Sequence, residues 1–536
     1  MKHSYSILSV ATWILCVVTI GVVCGLVPEA QAQQPGASSV TRLDDYVEVE
    51  LGRVDEAYTL IERFGPQVWP GWTNYLEPEF YVNFPNNVRL LVGSPDHAPE
   101  GFERVAGRTL HGKAVHLNRK NELPIKLTQP LGGGGNGGPS VQIHLMQWPS
   151  NPKYVPNDGG ISETQILVEV HELFHCLQEH YPAFLKIEEQ DKGGSVAFGT
   201  FTVDLNYAKW SSVEGRALLG AYDAKDTKSV REYLEDYLAA RHEKQKDMPP
   251  AIIAVEQGRQ NPEGTANYSN LKMAMVIRDA KYTGSNDHAG DTFFFKFAYM
   301  DDYLRDQLRG RTTHAMDDTM DTLRKYYQYG ALESFVLDRL APNWKKTFLE
   351  SGKTLDDVAS DILKLTPANE ERIKARLSTK YNMAEIEAKH RPVIEERDQA
   401  LALIAGRKGR HYIVDFSKLQ KNDVIAIQPD YSKKYVQLGV HVIFPQGAGI
   451  VKLGEVEIST ANTPIERFLR TVDWIDTESK AGEKGYELKA GSQDGDVLKD
   501  VTFTTKGFTL KAPEVQITED KEKNEVRVLI LSKAKR

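Results

Sequence analysis

The chain has 536 residues, more than one hydrophobic core serves, so two or three domains are expected. Its formal net charge is −8, and Lys and Arg are spread rather than gathered in blocks, which argues against a nucleic-acid partner. Hydrophobic residues at 41% and charged residues at 26% exclude a disordered or fibrous chain and describe a globular one.

Residues 1–32 stand apart. MKHSYS precedes the apolar run ILSVATWILCVVTIGVVCGLV, and Ala30-Gln31-Ala32 forms a small-x-small cleavage site. This pattern reads as a secretory signal peptide ending at Ala32, which places the mature chain outside the cytoplasm, periplasmic or secreted, with no stable membrane insertion. An uncleaved anchor is the alternative, because the run is long enough to span a bilayer. Cleavage removes Cys16 and Cys24, so Cys176 is the one thiol left and no internal disulfide can form.

Residues 33–77 contain a polar lead-in, to Arg42, and the helical pattern LDDYVEVELGRVDEAYTLIERFG, which should stop at GPQVWPGW. From 78 the period changes to short strands: FYVNF, VRLLVG, KAVHLN, PIKLT and VQIHLMQW. The glycine-rich LGGGGNGGPS at 131–140 lacks the lysine and following helix of a phosphate loop, and is expected to be a flexible turn. Helical patterns fill 162 to about 400, and the charged stretch 366–407 reads as a solvated helical connector. From 408 to 536, runs such as HYIVDF, YVQLGVHVIFP and EVRVLILS predict a separate all-β, sandwich-like module. The fold class is therefore α+β, with 78–365 as the central domain.

The chemistry concentrates in VEVHELFHCLQEHYP, residues 168–182. Ser162-x-x-Gln165 has the form of a capping box, and Pro182 prevents helix beyond Tyr181. Between them Ile166, Val170, Leu173, Phe174 and Leu177 recur at helical spacing. On that helix His171 and His175 lie one turn apart on one face, where both imidazoles can reach one Zn²⁺ ion. Glu172, turned by about 100° from His171, stands beside the metal rather than on it, where a base for water belongs. Cys176 is turned away by a similar angle and reads as packing.

Such a site needs a third protein ligand. The extended form H-E-x-x-H-x-x-G-x-x-H fails, because Gln178 and Tyr181 occupy its glycine and histidine positions. Glu214, in KWSSVEGRALLGAYD, is the favoured carboxylate, since Gly215 and Ala217 would let its helix approach closely. Two other readings stand beside it: Asp204 as the ligand, or Ser211-x-x-Glu214 as a mere capping box.

H-E-x-x-H followed by W-x-x-E-G resembles the gluzincin metallopeptidases, and among them the glycyl aminopeptidase family. Asp301, Arg305, Asp317 and Asp318 are placed as in that family's later helical segment, so the resemblance covers about residues 80–330. It implies a zincin-like domain, zinc held by His171, His175 and Glu214, Glu172 as general base, and a peptide or protein substrate. Two departures stand out. The family's amine-gripping Gly-Gly-x-Glu has no acidic counterpart in LGGGGNGGPSVQIHLMQW, and its Tyr-x-Lys-Gly tyrosine is absent, which leaves Tyr282 or His288 for that role. The expectation is an exported zinc metallopeptidase; the alternative is an inactive zincin-like binding protein.

Overall fold

The computed structural model describes residues 43–124, 131–147, 161–189, 203–285, 290–319, 324–405 and 409–418. It also describes a few single residues between these stretches and, within 436–531, the strands and some of their connecting turns. The expected signal segment, the lead-in and most of PIKLT lie outside the described residues. Helices and mixed sheets make the chain α+β, in two compact units: one of described residues up to Ala388, the other from Lys389 onward with the short stretch before Leu205. No described helix is long and apolar enough to cross a membrane.

The first unit contains a six-stranded sheet: β1 (Glu79–Asn83), β2 (Arg89–Gly93), β3 (Glu103–Leu110), β4 (Lys113–Asn118), β5 (Leu131–Asn136) and β6 (Ser140–Gln147). Its order is β3-β4-β2-β1-β6-β5, with β1 and β6 parallel and the other pairs antiparallel. The sequence pattern missed β3, whose side chains are nearly all exposed and so carry no apolar alternation. The glycine run corrects the expected turn: it is strand β5, terminal in the sheet among the described residues. Glycine is needed there because a Cβ on Gly133 would collide with the His144 carbonyl of β6.

Helix α1 (Asp45–Val68) runs on through Gly65 and Pro66, where the sequence pattern ended it. Its apolar stripe continues to fully buried Val68, and that burial outweighs the single hydrogen bond that Pro66 forfeits. Then follow α2 (Ser162–Gln178), α3 (Pro182–Glu189), α4 (Leu205–Asp223), α5 (Thr227–Gln245) and α6 (Pro250–Asp279). Next come α7 (Met300–Arg305), joined through a π-helical turn to α8 (Arg311–Asp317), then α9 (Arg324–Leu340), α10 (Trp344–Ser351), α11 (Leu355–Leu363), α12 (Pro367–Lys380) and α13 (Met383–Ala405). One core joins sheet and helices. Behind α2, Trp69 and Trp72 meet Phe174 edge-on at 4.9 and 5.3 Å, and Trp69 also meets Trp344. This wall fixes the rotation of α2 about its axis. Helix α12 keeps most of its residues exposed, as the charged stretch predicts, and Arg376, Lys380 and Tyr381 tie it to the fully buried Asp236 of α5.

The second unit is built of strands from β7 (Arg410–Asp415) to β18 (Glu525–Ile530). Its longest strand, Phe508–Asp520, pairs through its first half with Val456–Thr460 and through its second half with β18. Val414, Ile458, Phe503, Leu510 and Val528 fill its core.

Candidate metal centre

Helix α2 forms where its apolar stripe predicts, but its first turn is not capped from within. The N-cap position is Ile161, with no side-chain cap. Ser162 Oγ accepts instead from Arg53 Nη2 at 2.9 Å, and Gln165 Oε1 accepts from the Gly133 N–H of β5 at 2.9 Å. Glu163 accepts from the backbone N–H groups of Phe295 and Phe297. The capping-box residues thus fasten α2 to its surroundings rather than to itself. Arg53, buried, also donates to Leu131 O at 2.6 Å, so one guanidinium holds the start of β5 against the start of α2.

His171 and His175 turn their Nε2 atoms to one point, 3.2 Å apart. The carboxylate that joins them is Glu263 of α6, with Oε2 at 3.3 Å from His171 Nε2 and 3.4 Å from His175 Nε2. These three form the one such ligand group among the described residues. Zinc bonded at about 2.0–2.1 Å in a tetrahedron separates its ligand atoms by roughly 3.3–3.4 Å, so the spacing found here fits the edges of that figure. The donor set suits zinc as well: two imidazoles and one carboxylate leave the fourth position open. Burial opposes charge on His175, yet the hydrogen bond and charge of Glu263 lift its pKa to about 9. Burial would raise Glu263, but hydrogen bonds from both imidazoles hold it well below the usual carboxylate range.

Glu172 lies beside this group, almost fully buried. Burial pushes its carboxyl up, partly offset by the two histidines and by a hydrogen bond from the Gly137 N–H. The approach is close: a Cβ on Gly137 would strike Glu172 O and His175 Cβ, and one on Gly135 would lie 3.0 Å from Glu172 Cγ. The glycines therefore let the chain pass directly over the histidine-bearing helix. Tyr327 of α9 stacks on His171, with ring centroids 6.2 Å apart, and burial and the charge of nearby Glu263 hold its hydroxyl well above its ordinary pKa. Cys176 is buried, its thiol pushed up to about 12 by burial, and it packs toward the backbone of Glu172.

Glu214, the expected third ligand, lies elsewhere. Fully buried in the middle of α4, it pairs with Lys244 of α5 at 2.9 Å, and Lys244 also holds Glu256 at 3.1 Å. An ammonium sealed in the helical interior needs these carboxylates, and that need fixes Glu214 in place. It caps nothing either, since Ser211 is inside the helix. Asp204 is exposed just ahead of α4. Tyr282 and His288 both bond Glu56 of α1, at 2.6 and 3.1 Å, and lock a turn to that helix rather than joining the imidazoles. Asp301 is exposed and pairs with Arg278, while Arg305 pairs with Asp302.

No family model, curated protein or solved structure matches the chain. The site therefore speaks through its own geometry. Glu263 did leave a trace in the sequence: two Glu-Gly pairs follow the histidine motif, Glu214-Gly215 and Glu263-Gly264. Pro262 masks the second as a helix break, although α6 runs straight through it.

Proposed function

We propose that the chain is a zinc-dependent hydrolase of the gluzincin type, cleaving peptide bonds, with His171, His175 and Glu263 as ligands and Glu172 as general base. The observation that carries this is the convergence of three donors at tetrahedral edge lengths with a buried carboxylate alongside. Zinc bound there supplies Lewis acidity, polarising an amide carbonyl and acidifying water. Glu172, its carboxyl raised by burial, accepts the proton of the attacking water and delivers it to the departing amine nitrogen. The Tyr327 hydroxyl, beside Glu263, donates to the oxyanion that develops on the carbonyl. This assigns to Tyr327 the role the sequence left to Tyr282 or His288.

A peptide substrate is favoured by β5. It is a terminal strand of glycines adjoining Glu172, and past Leu131 and Gly133, whose O and N–H are held by Arg53 and Gln165, an extended chain can add to such an edge by main-chain hydrogen bonds. Export follows from residues 1–32 alone, and N-terminal sequencing of the secreted protein tests whether it begins at Gln33. The test of function is metal content together with hydrolysis of an unstructured protein. We expect about one zinc per chain, chelator-sensitive cleavage, and a Glu172→Gln variant that keeps zinc but loses activity. Full activity in Glu172→Gln refutes the mechanism. A chain that takes up no zinc refutes the metal centre and favours a binding protein.

A further inference from the structure

We propose that Gln178 is a positioning residue that sets the tautomer of His175 and ties it to the helix bearing Glu263; the proposal rests on the zinc reading above. Gln178 is 2% exposed and lies one turn after His175 on α2. Its amide makes three contacts. Nε2 is 3.1 Å from Pro262 O and 2.8 Å from Thr265 Oγ1, and Oε1 is 2.7 Å from His175 Nδ1.

Hydrogen-bond bookkeeping leaves one arrangement. A proline carbonyl can only accept. The Thr265 hydroxyl spends its single proton on Asn261 O, at 2.6 Å, and on Pro262 O, at 3.3 Å, so toward Gln178 it too can only accept. Both neighbours on that side demand a donor, which turns the amide nitrogen toward them and the amide oxygen toward His175. Nδ1 of His175 must then carry the proton. In the neutral ring the lone pair is left on Nε2, the atom that faces His171 and Glu263.

The same amide also controls distance. Its two acceptors, Pro262 and Thr265, bracket Glu263 on α6. One side chain thus sets imidazole orientation and spacing between the two ligand-bearing helices. A carboxylate at this position is not equivalent. It accepts from Nδ1–H, but it sets negative charge against a carbonyl and a hydroxyl lone pair.

The test is zinc affinity of the full-length chain, measured by competition with a chromophoric chelator. Gln178→Met keeps the bulk and removes all three hydrogen bonds, and should weaken zinc binding about 10- to 100-fold, the range seen for outer partners of metal-bound histidines. Gln178→Glu should also weaken it. Wild-type affinity in Gln178→Met overturns the proposal. So does affinity at or above wild type in Gln178→Glu, which would mean that an acceptor for Nδ1–H is all the position supplies. If Gln178→Met fails to fold, the ¹⁵N-histidine spectrum of the zinc-loaded wild type decides: a proton on His175 Nδ1 supports the assignment and one on Nε2 overturns it. A wild-type chain that binds no zinc is a different result, and it removes the metal reading itself.

Discussion

Replacing Gly264 by alanine tests whether helix contact places the third ligand. Gly264 faces Gly330, and a Cβ added there would lie 2.6 Å from the Gly330 Cα and 3.1 Å from Tyr326 O. Carbon atoms rest about 3.5–4.0 Å apart, so α6 and α9 must separate by roughly 1 Å. The obstruction is backbone on both sides, and no rotamer change relieves it. Overpacking of this kind costs about 1–3 kcal/mol, while alanine regains up to about 1 kcal/mol of helix propensity. The net loss of stability should therefore be modest, about 0–2 kcal/mol. Zinc tolerates far less, because ligand distances must hold to about 0.2 Å and Glu263 is the adjacent residue. The expected result is a split: a melting temperature within several degrees of wild type but zinc affinity down by at least tenfold, read by thermal unfolding and chelator competition. Gly52→Ala on α1, where a Cβ meets nothing nearer than 3.7 Å, should be neutral or stabilising and is the control. Wild-type zinc affinity in Gly264→Ala would refute the argument.

Three further outcomes follow from the same geometry. Glu263→Ala should abolish stoichiometric zinc with little change in melting temperature, whereas Glu214→Ala should keep zinc and cost about 3 kcal/mol, because it strips one carboxylate from buried Lys244; the reverse pattern in metal analysis would restore Glu214 as ligand. Tyr327→Phe should keep zinc and lower kcat by about 10²–10³-fold, the usual loss for one oxyanion donor, and an unchanged kcat would remove Tyr327 from the chemistry. Burial alone would raise Glu56, but bonds from His288, Tyr282 and Ser285 outweigh it and hold its pKa below the 4.5 of the unfolded chain. Its contribution to stability is thus present above about pH 4.5 and lost as pH falls through the folded value, so Glu56→Gln should flatten the fall in melting temperature below pH 4.5. Parallel profiles for variant and wild type would refute this.

The histidine pair was legible because its signal is local. An apolar stripe at helical spacing and two imidazoles one turn apart need no knowledge of the rest of the chain. The carboxylate that joins the pair was not local. Glu214-Gly215 and Glu263-Gly264 look alike in sequence, and what separates them is long-range: Lys244 claims the first carboxylate, and the meeting of Gly264 with Gly330 delivers the second. Ser162 and Gln165 matched a capping box, yet Arg53 and the Gly133 N–H compete for their oxygens and win. Strand β5 was invisible because strand propensity resides in side chains, and glycine has none.

That absence carries a consequence of its own. Past buried Gly132 and the Gly133 N–H that Gln165 holds, Gly134 and Gly135 show a visitor only amides and carbonyls, which are the same whatever the visitor's own residues. On the proposed function, β5 would align substrates without choosing among them. Choice would then fall to the helical side of the centre, where Arg259 stands one turn before Glu263 on α6. Selectivity in such a protein could drift through helix substitutions while the docking rail stayed unchanged.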